Sequence, residues 1–311
     1  MWVQRTGIAT AGITVPCFLL IQGPALALDG PPGGLSTYES KYYIVDTDLP
    51  ADRAKDIGRE MDAAGKEYDR RFAGFSRKIQ HKLRLKVYST KERYVDELKR
   101  ITYGGKNQFT NGRYNPTDET VYTFDGPQLE DVLKHECFHQ FAHGVVGGSL
   151  PTWVNEGLAA YFEDGAFDDK TGQMRLGEIR PDRVKLLKAA AEGKALASVE
   201  QIMKITGSEW MDNMDTPRGS LQYAQAWALC HFLVHGDDGQ YQTLFDAYLH
   251  EVDKGLDGDT AFKRVFGEDL KPLQTKYDAY VAHLIAVTPL DEPDKSEDKE
   301  HGKPKSKDRS P

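Results

Sequence analysis

His135-Glu136-Cys137-Phe138-His139 sets two imidazoles four residues apart, with a carboxylate directly after the first. On a helix, positions i and i+4 share a face. His135 and His139 can then bring their rings to one metal ion. Glu136 is turned about 100° around the axis, off the ion but beside a water bound to it. This is the H-E-x-x-H pattern, in which zinc acidifies a water molecule and the carboxylate takes its proton. Taken alone, the five residues read equally well as a histidine pair on a solvated helix face. A catalytic zinc also needs a third protein ligand and an open position.

The flanking elements supply candidates. Leu129, Val132 and Leu133 give the histidine helix an apolar side; Asp125 reads as its cap and Pro127 as a tolerated early proline. Glycines at 144, 147 and 148 let the chain reverse before Ser149-Leu150-Pro151 opens a second helix, Thr152 to Glu163. Two antiparallel helices would bring Glu156 opposite the histidines. Its neighbours Trp153, Leu158, Tyr161 and Phe162 are not those of a solvated acid. His143 is a rival on the same face. It lies about 12 Å from His135 along the axis, too far for all three histidines to share an ion. The metzincin pattern would need a glycine at 142 and a histidine at 145, where Ala142 and Val145 stand. Glu156 is thus the strongest candidate for the third ligand.

Upstream, Tyr42 to Asp46 reads as a strand. A helical stretch from Ala51 to about Phe75 aligns Ile57, Met61, Ala64, Tyr68 and Phe72. Leu83 to Tyr88 alternates as a strand does, and Lys91 to Ile101 returns to helical spacing. Asn111-Gly112 signals a turn between a segment at Gln108-Phe109 and Tyr114. A strand from Thr120 to Phe124 follows. Beyond residue 180 the spacing predicts helices at Pro181–Glu192, Ser198–Met203, Ser220–His235, Gly239–Val252, Asp259–Phe266 and Leu270–Ile285. The expected class is α+β, a small mixed sheet followed by a mainly helical C-terminal half.

The chain has 311 residues and a formal net charge of -8, with 28% charged residues and no stripe of Lys and Arg. Nucleic acid is therefore not an expected partner. Met1 to Arg5 is basic, Gly7 to Ile21 mostly apolar, and Ala25-Leu26-Ala27 a small-x-small site. Residues 1–27 read as a signal peptide, implying a secreted or periplasmic protein. Thr14 and Pro16 interrupt the apolar run, so stable membrane insertion is not expected after cleavage; an uncleaved anchor is the alternative. Cys17 lacks a lipobox. Cys137 and Cys230 read as two buried thiols rather than a disulfide. Residues 28–125 form an N-terminal α/β region and 126–290 a helical region of the same unit. The tail 291–311, without large apolar residues, is expected to be disordered.

His135 to His139, with Asn155-Glu156-Gly157-Leu158-Ala159 and Tyr161 downstream, resembles the gluzincin arrangement of aminopeptidase N and thermolysin relatives. More closely it resembles an uncharacterised bacterial family of secreted, peptidase-MA-like proteins. That family shows a Pro-x-Trp-x-x-Glu-Gly-x-Ala segment and a later Tyr-x-x-x-Trp, here Tyr223 to Trp227. The resemblance runs over about residues 130 to 235. It implies a zincin-like fold binding one Zn2+ through His135, His139 and Glu156, with Glu136 as general base. Tyr223 would be the oxyanion donor, with His231 and His235 as weaker candidates for that task. Asn155 and Glu163 would orient the imidazoles; Ala160 stands where thermolysin-like enzymes carry an acid. The resemblance also implies an active-site edge strand at Thr120 to Phe124, with Thr120, Tyr122 and Phe124 lying against a peptide or protein substrate. The Gly-x-Met-Glu-Asn segment of aminopeptidases is missing, which favours endopeptidase action. The alternatives are a non-catalytic zinc-containing binding or assembly module and a metal-free structural protein.

Overall fold

The computed structural model describes residues 34–101, 110–214 and 216–290. The expected signal segment, the arm at Gln108-Phe109 and the charged tail lie outside the described residues. The N-terminal half contains β1 (Ser36–Glu39), β2 (Tyr43–Thr47), α1 (Ala51–Arg71), β3 (Leu83–Tyr88), α2 (Lys91–Ile101), β4 (Gly112–Asn115) and β5 (Thr120–Phe124). Next come α3 (Leu129–Val145), α4 (Thr152–Glu163), β6 (Ala166–Asp168), β7 (Gln173–Arg175), α5 (Pro181–Glu192), α6 (Val199–Met203) and α7 (Gly207–Asn213). The chain then runs through α8 (Pro217–Gly239), α9 (Gln242–Asp253), α10 (Gly258–Phe266) and α11 (Lys271–Val287). The class is α+β, as expected: a small mixed sheet and a mainly helical C-terminal half.

The sheet order is β1-β2-β3-β5-β4. β2, β3 and β5 are parallel, with α1 and α2 as crossovers, while β1 and β4 run antiparallel at the two edges. The alternation of β3 divides the sheet's faces. Leu83, Leu85 and Val87 join the main core with α1 and α3, whereas Tyr88 joins Tyr94, Leu98 and Tyr122 beneath α2. Three expectations fail here. The strand Thr120–Phe124 is hydrogen-bonded on both sides, to β3 and β4, so it is not an edge. Among the described residues the edge is β4, which was expected only as one arm of a hairpin turning at Asn111-Gly112. The turn instead follows β4, at residues 116–119, where Glu119 takes a positive φ. Asp125 is not a cap either. α3 starts after Gln128 without a side-chain cap, and Asp125 accepts from Arg53 at 3.0 Å. Strand β1 precedes the expected strand at Tyr42 to Asp46 and pairs antiparallel with it.

α1 and α3 are joined by an aromatic cluster. Tyr68, Phe72, Phe138, Phe141 and Phe162 are all buried, with ring centroids 4.7–5.9 Å apart in the pairs that touch. Each such side chain contributes roughly 1.5–3 kcal/mol by leaving water. Tyr68 also donates its hydroxyl to the Lys134 carbonyl at 2.7 Å, fixing the rotation of α3 just before His135. Cys137 and Cys230 are free and buried, as expected. No helix among the described residues is long and apolar enough to cross a membrane.

Further along α8, His231 Nδ1 lies 2.6 Å from the Tyr280 hydroxyl and His235 Nε2 lies 3.0 Å from that of Tyr161. Burial, then the neighbouring His235, lowers His231 to about 4. Burial, then the charge of Arg71, lowers His235 to about 4. The unfolded chain takes up these protons near the ordinary histidine value of about 6.5. Between the two values the unfolded state holds more protons, so stability falls as the pH drops from about 6.5 towards 4. The urea midpoint is expected to be lower at pH 5 than at pH 7. The gap should narrow in the double variant His231→Gln, His235→Gln. An unchanged gap in that variant would show that these histidines do not carry the acid sensitivity.

Candidate metal centre

The histidine helix buries Leu133, Cys137, Phe138 and Phe141 against the core. His135 and His139 project from its other side, their rings 4.9 Å apart at 79°. The second helix is brought in by a glycine. A Cβ at Gly157 would sit 2.5 Å from the Ala226 carbonyl oxygen and 2.7 Å from Cys230 Sγ, so α4 meets α8 at a distance that only glycine permits. This packing sets Glu156, one residue earlier, across from the imidazoles. Its Oε2 lies 3.5 Å from His135 Nε2 and 3.7 Å from His139 Nε2. One ligand atom from each of the three residues falls within 4.8 Å of the other two. Zinc bonds of about 2.0–2.1 Å would separate tetrahedral ligands by roughly 3.4 Å. The three donors, two imidazole nitrogens and one carboxylate oxygen, therefore suit one such ion in spacing and chemistry. All three side chains keep 14–16% exposure, so one side of the cluster is open to water.

Among the protein's own groups, burial opposes the charge on His135. Hydrogen bonds to Glu156 and Glu163 and the charges of Glu163 and Glu136 outweigh it, raising His135 to about 10. Burial pushes Glu156 up, but His139 and His135 with the Tyr223 hydroxyl hold it below its ordinary value. Behind the histidine, Glu163 Oε2 accepts from His135 Nδ1 at 2.9 Å. Its other oxygen lies 3.1 Å from Arg183 NH2, and the Arg183 fork clasps Asp164. Burial works against the Glu163 charge, yet His135, Arg183 and Arg180 hold its carboxyl at about 2. Glu163 thus occupies the orienting position expected of it. Asn155 does not: it lines the cleft, and His139 Nδ1 is buried without a hydrogen-bond partner.

Glu136 lies off the cluster. Its Oε2 accepts from the backbone N–H of Tyr114 at 2.7 Å, so strand β4 holds this carboxylate. Gly112 permits this, because a Cβ there would meet Val132 Cγ1 at 2.2 Å and Glu136 Cγ at 3.3 Å. Tyr223 packs edge-to-face on Trp210 and reaches Glu156 with its hydroxyl, its ring centroid 6.3 Å from that of His135. Burial, then the Glu156 charge, raises the Tyr223 phenol and keeps it a proton donor. His143 is no ligand; its Nδ1 meets the Tyr114 hydroxyl at 2.8 Å. His231 and His235 are engaged by Tyr280 and Tyr161 and do not line the cleft.

The cleft, about 550 Å³, opens on Glu136, His139 and Glu156 and is walled by Tyr114, Asn155 and Leu150. Thr120, Tyr122 and Phe124 do not line it. Thr120 bonds the Asp118 carbonyl, Tyr122 meets Asp118, and Phe124 packs on Tyr94. As an inner strand, β5 has its backbone groups occupied on both sides, so the substrate-facing role expected of these residues has no support. Tyr114 and Arg183 were not anticipated. Tyr114 was seen only as flanking a turn. Arg183 stands twenty residues after Glu163, with no motif to join them.

Fold and site together define an α+β protein whose His135–His139–Glu156 cluster can hold one metal ion. Residues 131–252, from the first turn of α3 to the end of α9, match the family described as "Protein of unknown function (DUF1570)". The matched segment contains all three cluster residues, Glu136, Glu163 and Tyr223. No curated protein matches the chain.

Replacing Glu163 by Ala removes the acceptor from His135 Nδ1. Zn2+ affinity, measured by competition with a chelator, is expected to fall about 10- to 100-fold with the far-UV spectrum unchanged. Asn155→Ala should lower it far less. Equal losses in the two variants would contradict the orienting role of Glu163.

Proposed function

We propose that this chain is a zinc-dependent peptidase that cleaves peptide bonds with a metal-activated water. The reading rests on one juxtaposition: a three-ligand cluster with an open side and a non-ligand carboxylate, Glu136, beside it. A cluster serving structure alone would gain nothing from such an acid. His135, His139 and Glu156 would hold the ion. Bound there, zinc would supply Lewis acidity, polarising a carbonyl and lowering the pKa of water.

The other tasks fall to the chain's own residues. Glu136 accepts the proton of the attacking water and passes it to the leaving amine. The Tyr114 N–H holds one of its oxygens, leaving the other for the exchange. The Tyr223 phenol, kept protonated by burial, donates to the developing oxyanion. Edge strand β4 offers backbone groups to an extended peptide. Among the described residues, the cleft wall shows no carboxylate apart from Glu136 and Glu156 to anchor a free amine, which favours cleavage within a chain. The signal-like N-terminus suits a secreted or periplasmic enzyme acting on peptides or proteins.

Glu136→Gln should retain one equivalent of zinc and lose at least about a thousandfold in hydrolysis of a mixed peptide library, in line with loss of a general base acting on activated water. Metal content would be read by elemental analysis and cleavage by mass spectrometry. Undiminished cleavage by this variant would refute the mechanism. A zinc-replete wild-type chain that cleaves no peptide would instead favour the non-catalytic module.

A further inference from the structure

A second cavity, of about 650 Å³, lies against the C-terminal part of α3, at Phe141 and Val145. Its floor is formed by Tyr43, Phe72, Phe75, Leu83, Phe141 and Val145, every one of them buried. Its wall is the segment between α1 and β3, which is tied in place. The Asp253 carboxylate accepts from the N–H and hydroxyl of Ser76 at 2.8 and 2.7 Å, and the Arg77 N–H bonds the Val145 carbonyl at 3.2 Å. The cavity is thus preformed, in the size range of small-molecule sites.

The rim has a different character. Lys41, Arg77, Lys78, His81 and Lys82 line it against a single carboxylate, Asp69. Lys82 is paired with Glu39 at 2.9 Å and His81 approaches Glu119 at 3.6 Å. Lys41 lies over the Tyr42 ring at 4.5 Å. The Arg77 guanidinium reaches the Gly147 carbonyl at 3.5 Å. On a chain with a formal net charge of -8, the gathering of Lys41, Arg77, Lys78 and Lys82 around an apolar hollow runs against the overall balance. A bare inorganic anion would leave the aromatic floor unfilled. A neutral apolar molecule would leave the cations unanswered.

We propose that this cavity binds a small amphipathic carboxylate, its apolar body on the floor and its acid group at the Arg77–Lys78 side of the rim. Apolar burial supplies the affinity and the cationic rim selects the sign of the head group. The site is separate from the metal cluster and does not depend on the peptidase reading. Arg77 lines both cavities, so an occupant would lie next to the cleft.

The test is calorimetric titration of the full chain with dodecanoate, dodecyltrimethylammonium and inorganic phosphate, each below micelle formation, with zinc and after chelation. Dodecanoate should bind saturably at one per chain, alike in both metal states. The cationic amphiphile should bind at least about tenfold more weakly, and phosphate should not displace dodecanoate. Ile79→Glu sets a carboxylate inside the wall and should abolish binding. Lys78→Glu changes an exposed side chain and should weaken binding several-fold with the thermal midpoint unmoved. Failure of dodecanoate to saturate the wild type, or equal binding of both amphiphiles, would overturn the proposal.

Discussion

A carboxylate carried into a protein interior costs several kcal/mol unless opposite charge meets it there. The placement of Glu156 is governed by that rule. It stands mostly buried between two imidazoles, close enough to be held ionised by them. Neither helix could settle in this position with an unmatched acid. The pairing of α3 with α4 is thus an electrostatic arrangement as well as an apolar one. Its tolerance is small because Gly157 has locked α4 against α8.

The same rule extends outward in layers. Behind His135, Glu163 is met by His135 on one oxygen and by Arg183 on the other. Arg183 is matched in turn by Asp164, and Arg180 bridges Asp131 and Asp164. Lys134, nearly inaccessible, donates to the Gly165 carbonyl and pairs with Asp131. Each charge has an opposite neighbour, so the chain of pairs passes from the cluster to solvent without a lone ion. Such networks are costly to break at one member, because the partner left behind is still buried. The orientation of His135 therefore draws on residues as distant in sequence as α5.

Much of the site was legible because helical spacing is local. His135, Glu136, His139 and Glu156 could be placed from a motif, a glycine-rich reversal and an aromatic neighbourhood. Most helices ended within a few residues of their expected ends, since their apolar faces and flanking glycines mark them. What escaped reading depends on contacts distant in sequence. Strand order is not encoded in alternation, and the resemblance assigned to β5 the edge that β4 occupies. β4 is four residues long and contains Gly112 and Asn115, which carry little strand signal. Its value lies in lacking a side chain where Val132 needs room. The short β1 and the β6–β7 hairpin were missed for similar reasons of length. Arg183 sits on an ordinary amphipathic helix, and nothing nearby marks it as the partner of an acid twenty residues earlier.

Asp253, the last residue of α9, fastens three donors: the N–H and hydroxyl of Ser76 and the N–H of Gly147. The chain reversal between α3 and α4 also nests against the backbone of Val252, where Gly148 has no room for a Cβ. All three metal-cluster residues have been synthesised by position 156, yet the turn that sets their helices side by side is secured by a residue nearly a hundred positions later. During synthesis the ligands are present long before the scaffold that aligns them. A nascent chain would thus pass through a long interval with its histidines exposed and unaligned, and the finished centre would form only as the helical half is completed.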